Sequence, residues 1–253
     1  MSELTIPEIE SVRVFGVPVS VLESNQHAIE VIQSRAYVGE QTFVVAINPE
    51  KISAANNDPD VSAVLESADL HICDGVGAAF AVLALQKRRI PRITGISLFF
   101  DLIGWAAKTK TRLFLLGASA EVNKLAAEKL CETNPDLIIS GRQDGYFESD
   151  DAVVKAINNS GAELLFVAMG SPKQEYWMAK HRADLKPRLL MGIGGSLDVA
   201  SGRVTWAPSF FRRTGTEFFY RLCCQPSRWR RQAKLPLFAA KVLLRSVLPK
   251  NSN

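Results

Sequence analysis

Several short stretches of this chain place chemically capable residues at the ends of apolar runs. Leu70-His71-Ile72-Cys73 is followed by Asp74-Gly75-Val76-Gly77 and then by a run of small residues. A carboxylate in that setting can take a proton in a crevice beyond the strand end, or it can cap the next helix; the local pattern leaves both readings open. Asn48, Gly117-Ala118-Ser119, Gly170-Ser171 and Gly192-Ile193-Gly194-Gly195 close other apolar runs in the same way. Backbone amides at glycine-rich turns and helix N-termini suit phosphate groups, so turns converging on one sheet edge point to a nucleotide or diphosphate ligand. Gly192-x-Gly194-Gly195-x-x-Asp198 lacks the third glycine of GxGxxG, and no GxxxxGK[ST] occurs, which weighs against a dehydrogenase or a P-loop enzyme. Pro172-Lys173-Gln174-Glu175-Tyr176-Trp177 crowds polar groups into a first helical turn. A lysine there opposes the helix dipole and calls for an anionic partner.

Other candidates read as structural. Asp58-Pro59-Asp60 has the form of a metal-holding D-x-D, but Asp58 before a proline reads as a helix cap with Pro59 at the first helical position. His27 falls inside a helix and His71 inside a strand, both as packing residues. His181 lies at a helix end, where an imidazole complements the dipole. Cys73, Cys131, Cys223 and Cys224 have no metal-ligand spacing, and with no Cys/His/acid set in the sequence no metal or other cofactor is expected.

The elements that must position these residues alternate regularly. Residues 12–21 form two short alternating runs around Gly16, a hairpin pattern. Strands are expected at 42–47, 69–73, 112–116, 137–141, 163–168 and 187–191, with helical spacing between them. This order predicts an α/β fold: a Rossmann-like, doubly wound, largely parallel sheet. After Gly202 the strand pattern stops and only basic, aromatic-rich helical segments remain, so the division is residues 1–202 as the α/β domain and 203–253 as an appendage.

Charge separates the same two parts. The chain carries +4 overall, while residues 203–253 hold eleven Lys or Arg and one acid, Glu217, leaving the body near −6. A basic segment interleaved with Phe210, Phe211, Phe218, Phe219, Trp229 and the apolar run at 235–248 suits an anionic lipid surface; core packing accounts for part of it. The start of the chain lacks the basic and apolar regions of a signal peptide, and no run of about 18 apolar residues occurs, so the expectation is a soluble or peripheral protein.

Taken together these motifs resemble the WecG/TagA/CpsF family of bacterial glycosyltransferases. The resemblance rests on Ile47-Asn48-Pro49-Glu50, Asp74-Gly75-Val76-Gly77, Arg92-Ile93-Thr94-Gly95, Gly117-Ala118 and Gly145-Tyr146-Phe147. It continues through Gly170-Ser171-Pro172-Lys173-Gln174-Glu175, Gly192-Ile193-Gly194-Gly195-Ser196-Leu197-Asp198, Ser201-Gly202, Ala207-Pro208, Tyr220-Arg221-Leu222 and Pro226-x-Arg228. The resemblance implies metal-independent, inverting transfer of glucose, N-acetylmannosamine or its uronic acid from a UDP-sugar to a polyprenyl-diphosphate-linked glycan. The product would be a cell-surface or exported polysaccharide, made at the cytoplasmic membrane face. It places the general base on Asp74 and further site residues on Asn48, Arg92 and Gln174. Gly75, Gly117, Lys173, Glu175, Gly194, Gly195 and Asp198 are the expected substrate contacts, with Arg221 and Arg228 joining if the tail folds over the site. The chain departs from the family at Ala46, where a threonine is common, and at Gly215-Thr216-Glu217-Phe218, where the family has Gly-Leu-Glu-Trp.

Two other readings compete. A sugar-nucleotide epimerase needs the dinucleotide fingerprint the chain lacks. A non-catalytic membrane or nucleic-acid binding module would use the basic tail alone; the lipid surface is preferred, with no nucleic-acid partner expected. The apolar tail can also pack on a second copy, so a homo-oligomer stays open.

Overall fold

The computed structural model describes residues 7–224, 229 and 234–247. The chain opens with the antiparallel hairpin β1 (Ser11–Val14) and β2 (Val17–Ser20), as the alternating runs predict. The helices and strands that follow are α1 (Asn25–Tyr37), β3 (Thr42–Ile47), α2 (Pro49–Asn57), α3 (Pro59–Glu66), β4 (Leu70–Cys73), α4 (Val76–Gln86) and α5 (Gly95–Thr109). Then come β5 (Arg112–Gly117), α6 (Ala120–Thr133), β6 (Ile138–Gln143), α7 (Asp150–Asn159), β7 (Leu164–Ala168), α8 (Lys173–His181), β8 (Leu189–Gly192) and α9 (Ser196–Ala200). The basic tail supplies α10 (Ser209–Thr214), α11 (Glu217–Cys224) and α12 (Lys234–Val247).

Local chemistry sets most helix starts. Ser24, Asn48, Asp58, Thr94, Ser119 and Ser149 each accept a backbone N–H of the first turn through the side chain. Asp58 and Pro59 do divide the 50–67 segment into two helices, so the D-x-D pattern is a cap and a first-turn proline.

Strands β3 to β8 form one parallel sheet in the order β4-β3-β8-β7-β5-β6. The inner strands β3, β7 and β8 are buried along their whole length, which is why they read as continuous apolar runs. Two apolar cores cover the two faces. One is packed by α2, α3, α4, α7, α8 and the hairpin, for example Ile52, Leu65, Val82, Ile157 and Met178. The other is packed by α1, α5, α6 and α9, including Ile32, Phe99, Leu102, Ala126 and Leu197. The doubly wound α/β class is therefore confirmed. Neighbouring strands β3 and β8 send their chains to opposite faces, into α2 and α9, and at such a switch point of a doubly wound sheet the ligand crevice is expected beyond the C-terminal strand ends.

The tail returns to the body. Phe238 and Val242 of α12 are buried in the same core as Val14, Ile52 and Ala78, and α12 lies against α4 and α2. The packing account thus holds for these two residues, while Leu237, Leu244 and Val247 on the same helix face out.

Candidate active site

The C-terminal ends of β3 and β4 are tied together, since the Asp74 N–H donates to the Ile47 carbonyl at 2.8 Å. That bond sets Asp74 beside Asn48, each the first residue past its strand and each half-buried. Asn48 caps α2, its Oδ1 accepting the Lys51 N–H at 3.0 Å. Asp74 is not the N-cap residue of α4: that position is taken by Gly75, at φ +87°. The reading of Asp74 as the N-cap residue is corrected on that geometry. Gly77, one turn on, allows the first turns of α2 and α4 to touch; a Cβ there would lie 2.5 Å from Cγ of Pro49.

Arg92 reaches the same place from an irregular segment between α4 and α5. The Ile93 N–H donates to the Cys73 carbonyl at 2.9 Å, which fixes Arg92 at the end of β4. The charges of Asp74 and Arg92 are both felt by the Cys73 thiol, in opposite senses. Burial dominates and pushes that thiol up to about 12, so Cys73 is a neutral packing residue and not a nucleophile. The half-buried Arg92 donates through Nη2 to the Arg212 carbonyl, at the end of α10. Next to it, Gly215 sits against Val76 and Arg92 so closely that a Cβ would lie 2.3 Å from Cγ1 of Val76. Trp206 holds the start of the tail down by stacking on Phe100 of α5 at 4.8 Å, with the Arg212 guanidinium over the Trp206 ring at 4.2 Å from its centroid. The tail thus lies over the Arg92 edge of the crevice. Trp206 and Arg212 carried no sequence signal beyond their type.

Across the crevice, the loops after β7 and β8 meet. Gln174 and Glu175 of α8 are 2% and 1% exposed and point inward, whereas Lys173 is exposed at the crevice edge. Gln174 Oε1 accepts the Gly194 N–H at 3.1 Å, and Nε2 donates to Glu175 Oε1 at 2.9 Å. Glu175 in turn pairs with Lys51 Nζ at 2.8 Å. The expectation that Glu175 touches substrate is corrected by this burial: its carboxylate faces Lys51. Gly195 and Asp198 stay at the crevice rim, with Asp198 Oδ2 3.4 Å from where a Gly195 Cβ would be.

Gly117 ends β5 against the Ala168 carbonyl, but β5 lies four strand positions from β4, about 19 Å away at the usual strand spacing. It shares the sheet edge with Asp74 at that separation. Arg228 and the side chain of Arg221 lie outside the described residues.

Two further groups resolve as structural. His181 is buried and bonded through Nε2 to Asp150 at 3.0 Å, so its partner is a carboxylate on α7 and not the helix dipole alone. Asp150 also accepts from Lys180 Nζ at 2.7 Å and Trp177 Nε1 at 2.9 Å, clasping α7 to α8. His71 is buried in β4, its Nε2 2.7 Å from the Leu65 carbonyl, and burial above all holds it below the usual histidine range. Among the described residues no three His, Cys, Asp or Glu side chains gather as a metal site would need. No helix among them is long and apolar enough to cross a membrane.

The crevice therefore offers a half-buried carboxylate, an arginine at the same strand end and two helices, α4 and α8, whose N-cap residues, Gly75 and Pro172, make no side-chain cap. That is the equipment of a group-transfer enzyme acting on an anionic leaving group. The chain belongs to the WecG/TagA/CpsF family of glycosyl transferases, whose family model matches residues 12–252. It is similar to the N-acetylglucosaminyldiphosphoundecaprenol N-acetyl-beta-D-mannosaminyltransferase of Bacillus subtilis, 37% identical over 79% of this chain and 78% of that one. The enzyme of the same name from Bacillus spizizenii is 38% identical over the same shares.

Proposed function

We propose that this glycosyltransferase moves an N-acetylmannosaminyl group, or a closely related sugar, from a UDP-sugar to a polyprenyl-diphosphate-linked N-acetylglucosamine. The observation that carries the reading is the placement of Asp74 and Arg92 at the same end of β4, fixed by the backbone bonds from Asp74 to Ile47 and from Ile93 to Cys73. The names of the two Bacillus relatives supply the sugar and the acceptor class.

In this mechanism Asp74 removes the proton from the acceptor hydroxyl as its oxygen attacks the anomeric carbon. The bond from that carbon to the diphosphate oxygen breaks in the same displacement, the configuration inverts, and UDP leaves with the electron pair. The charge growing on the diphosphate is met by Arg92 and by first-turn amides of α4 and α8, with no metal assigned. Exposed Lys173 stands at the α8 start, where an anion offsets its conflict with the helix dipole.

The acceptor's lipid requires a membrane surface at the site. Val76, Phe80 and Leu83 form an exposed apolar stripe along α4, and Leu237 and Leu244 are exposed on α12, which packs against α4. Basic Lys87 and Arg88 follow α4, and Lys241 and Arg245 lie within α12. This arrangement supports peripheral binding to anionic lipid at the cytoplasmic face.

The test is a UDP-sugar panel against a synthetic N-acetylglucosaminyl-diphosphate lipid, reading UDP release and product. UDP-N-acetylmannosamine is expected to be preferred, and Asp74→Asn to lower kcat by about 10²–10⁴-fold with the fold intact. Wild-type turnover by Asp74→Asn on the preferred pair would overturn the base assignment.

A further inference from the structure

We propose that Lys51 and Glu175 are positioning residues, a buried ion pair that acts through Gln174 to hold the Gly194 amide at the crevice. Five groups connect in sequence. Asn48 Oδ1 accepts the Lys51 N–H at 3.0 Å, and Lys51 Nζ meets Glu175 Oε1 at 2.8 Å. The same oxygen accepts Gln174 Nε2 at 2.9 Å, and Gln174 Oε1 accepts the Gly194 N–H at 3.1 Å. The relay joins the loops that follow β3, β7 and β8, which are neighbours in the sheet.

Its chemistry admits one orientation. A carboxylate only accepts and a backbone N–H only donates, so the Gln174 amide must present Nε2 to Glu175 and Oε1 to Gly194. Neither side chain of the ion pair is free to serve substrate: Lys51 and Glu175 are 8% and 1% exposed. Glu175 Oε2 is buried with no hydrogen-bond partner among the described residues, so Lys51 carries the charge compensation. The space for the Gln174 amide is made by Gly192, where a Cβ would lie 2.4 Å from Nε2. Apolar residues of similar volume commonly stabilise such a site as well as an ion pair does. What they cannot do is fix the Gln174 amide. Gly194 stands at φ +51° at the point where β3 and β8 diverge, and a shift in its loop moves one wall of the crevice.

The inference about turnover rests on the glycosyl-transfer reading, whereas the relay itself can be read without substrate. The experiment uses the full chain labelled with [¹⁵N]glycine, following the assigned Gly194 amide peak, alongside thermal melting and steady-state kinetics. Lys51→Met/Glu175→Leu removes the charges together, leaving neither unpaired, and also removes the acceptor for Gln174. Its Gly194 peak should move, and kcat/KM should fall about 10–100-fold, with the melt near wild type. Lys51→Met/Glu175→Gln restores an uncharged acceptor, and is expected to return the peak toward its wild-type position and recover at least about a third of kcat/KM, given hydrogen bonding as the operative link. Gln174→Met, with the ion pair intact, reads the same amide if the Leu variant does not fold. A Gly194 peak unmoved in the Leu and Met variants overturns the relay. So does equal activity loss in the Leu and Gln double variants, because charge and not the amide contact would then matter. Absence of any transfer or UDP binding in the wild-type protein strikes the functional reading alone, since the amide peaks are recorded on the free protein.

Discussion

Gly77→Ala tests whether the close contact of α2 and α4 sets the distance between Asn48 and Asp74. The added Cβ would stand 2.5 Å from Cγ of buried Pro49. Carbon atoms pack at about 3.5–4.0 Å, so the two first turns must part by about 1 Å. Overpacking of this kind costs about 1–3 kcal/mol, offset by about 1 kcal/mol of better helix propensity in alanine. The net loss is about 1 kcal/mol, equivalent to a melting temperature lower by about 2–4 °C for a chain of this size. Gly104→Ala is the matched control: it lies inside α5 and its Cβ would meet nothing within 4 Å, so the propensity gain stands alone and Tm should rise by a similar amount. Displacement of catalytic groups by about 1 Å costs about 10²-fold, so Gly77→Ala should lose activity on that scale while Gly104→Ala keeps wild-type kcat/KM. Differential scanning calorimetry and the transfer assay measure both. A Gly77→Ala protein that melts above wild type, or that keeps its kcat/KM, refutes the argument that this contact gauges the site.

Two further outcomes follow from ionic contacts. Hydrogen bonding from Lys180 first, with His181 and Trp177 adding, holds Asp150 at about 2, below the usual carboxylate value of about 3.9. The folded state thus binds fewer protons, so this stabilisation is present above about pH 4 and disappears as pH falls through about 2. Urea denaturation should show the gap between wild type and Asp150→Asn narrowing from pH 5 to pH 3; a constant gap contradicts it. Arg92→Lys keeps the charge but loses the planar fork that reaches the Arg212 carbonyl. We expect about 10–100-fold lower kcat/KM and faster limited proteolysis within 203–224, and unaltered proteolysis would separate Arg92 from the tail.

The fold was legible in the sequence because its strands are short, apolar and buried on both faces, as at Thr42–Ile47 and Leu164–Ala168. Proline and capping chemistry marked the break at Asp58-Pro59 for an equally local reason. Asp74 was visible as a carboxylate after a strand, but its neighbours were not. The 3.6-residue and two-residue periods say which face a residue takes, and nothing about which strand lies alongside. That Asn48 and Asp74 adjoin follows from β3 pairing with β4, and that Arg92 joins them follows from one backbone bond to Cys73 in a segment without periodicity. Arg92 was accordingly reached by family resemblance and not by pattern.

The polar first turn of α8 shows the sharper limit. Lys173, Gln174 and Glu175 look alike as surface residues, yet only Lys173 is exposed. What turns Glu175 inward is a cation on a different helix, Lys51, separated from it by more than a hundred residues of chain. A charge at such a position costs too much to bury until its partner is in place, so its burial is a property of the assembled α2–α8 contact and of nothing nearer in the sequence. The same dependence works in reverse. Because the pair forms only when both helices have docked, its presence couples the loop after β3 to those after β7 and β8, and that places the carboxylate wall and the glycine wall of the crevice in one rigid frame.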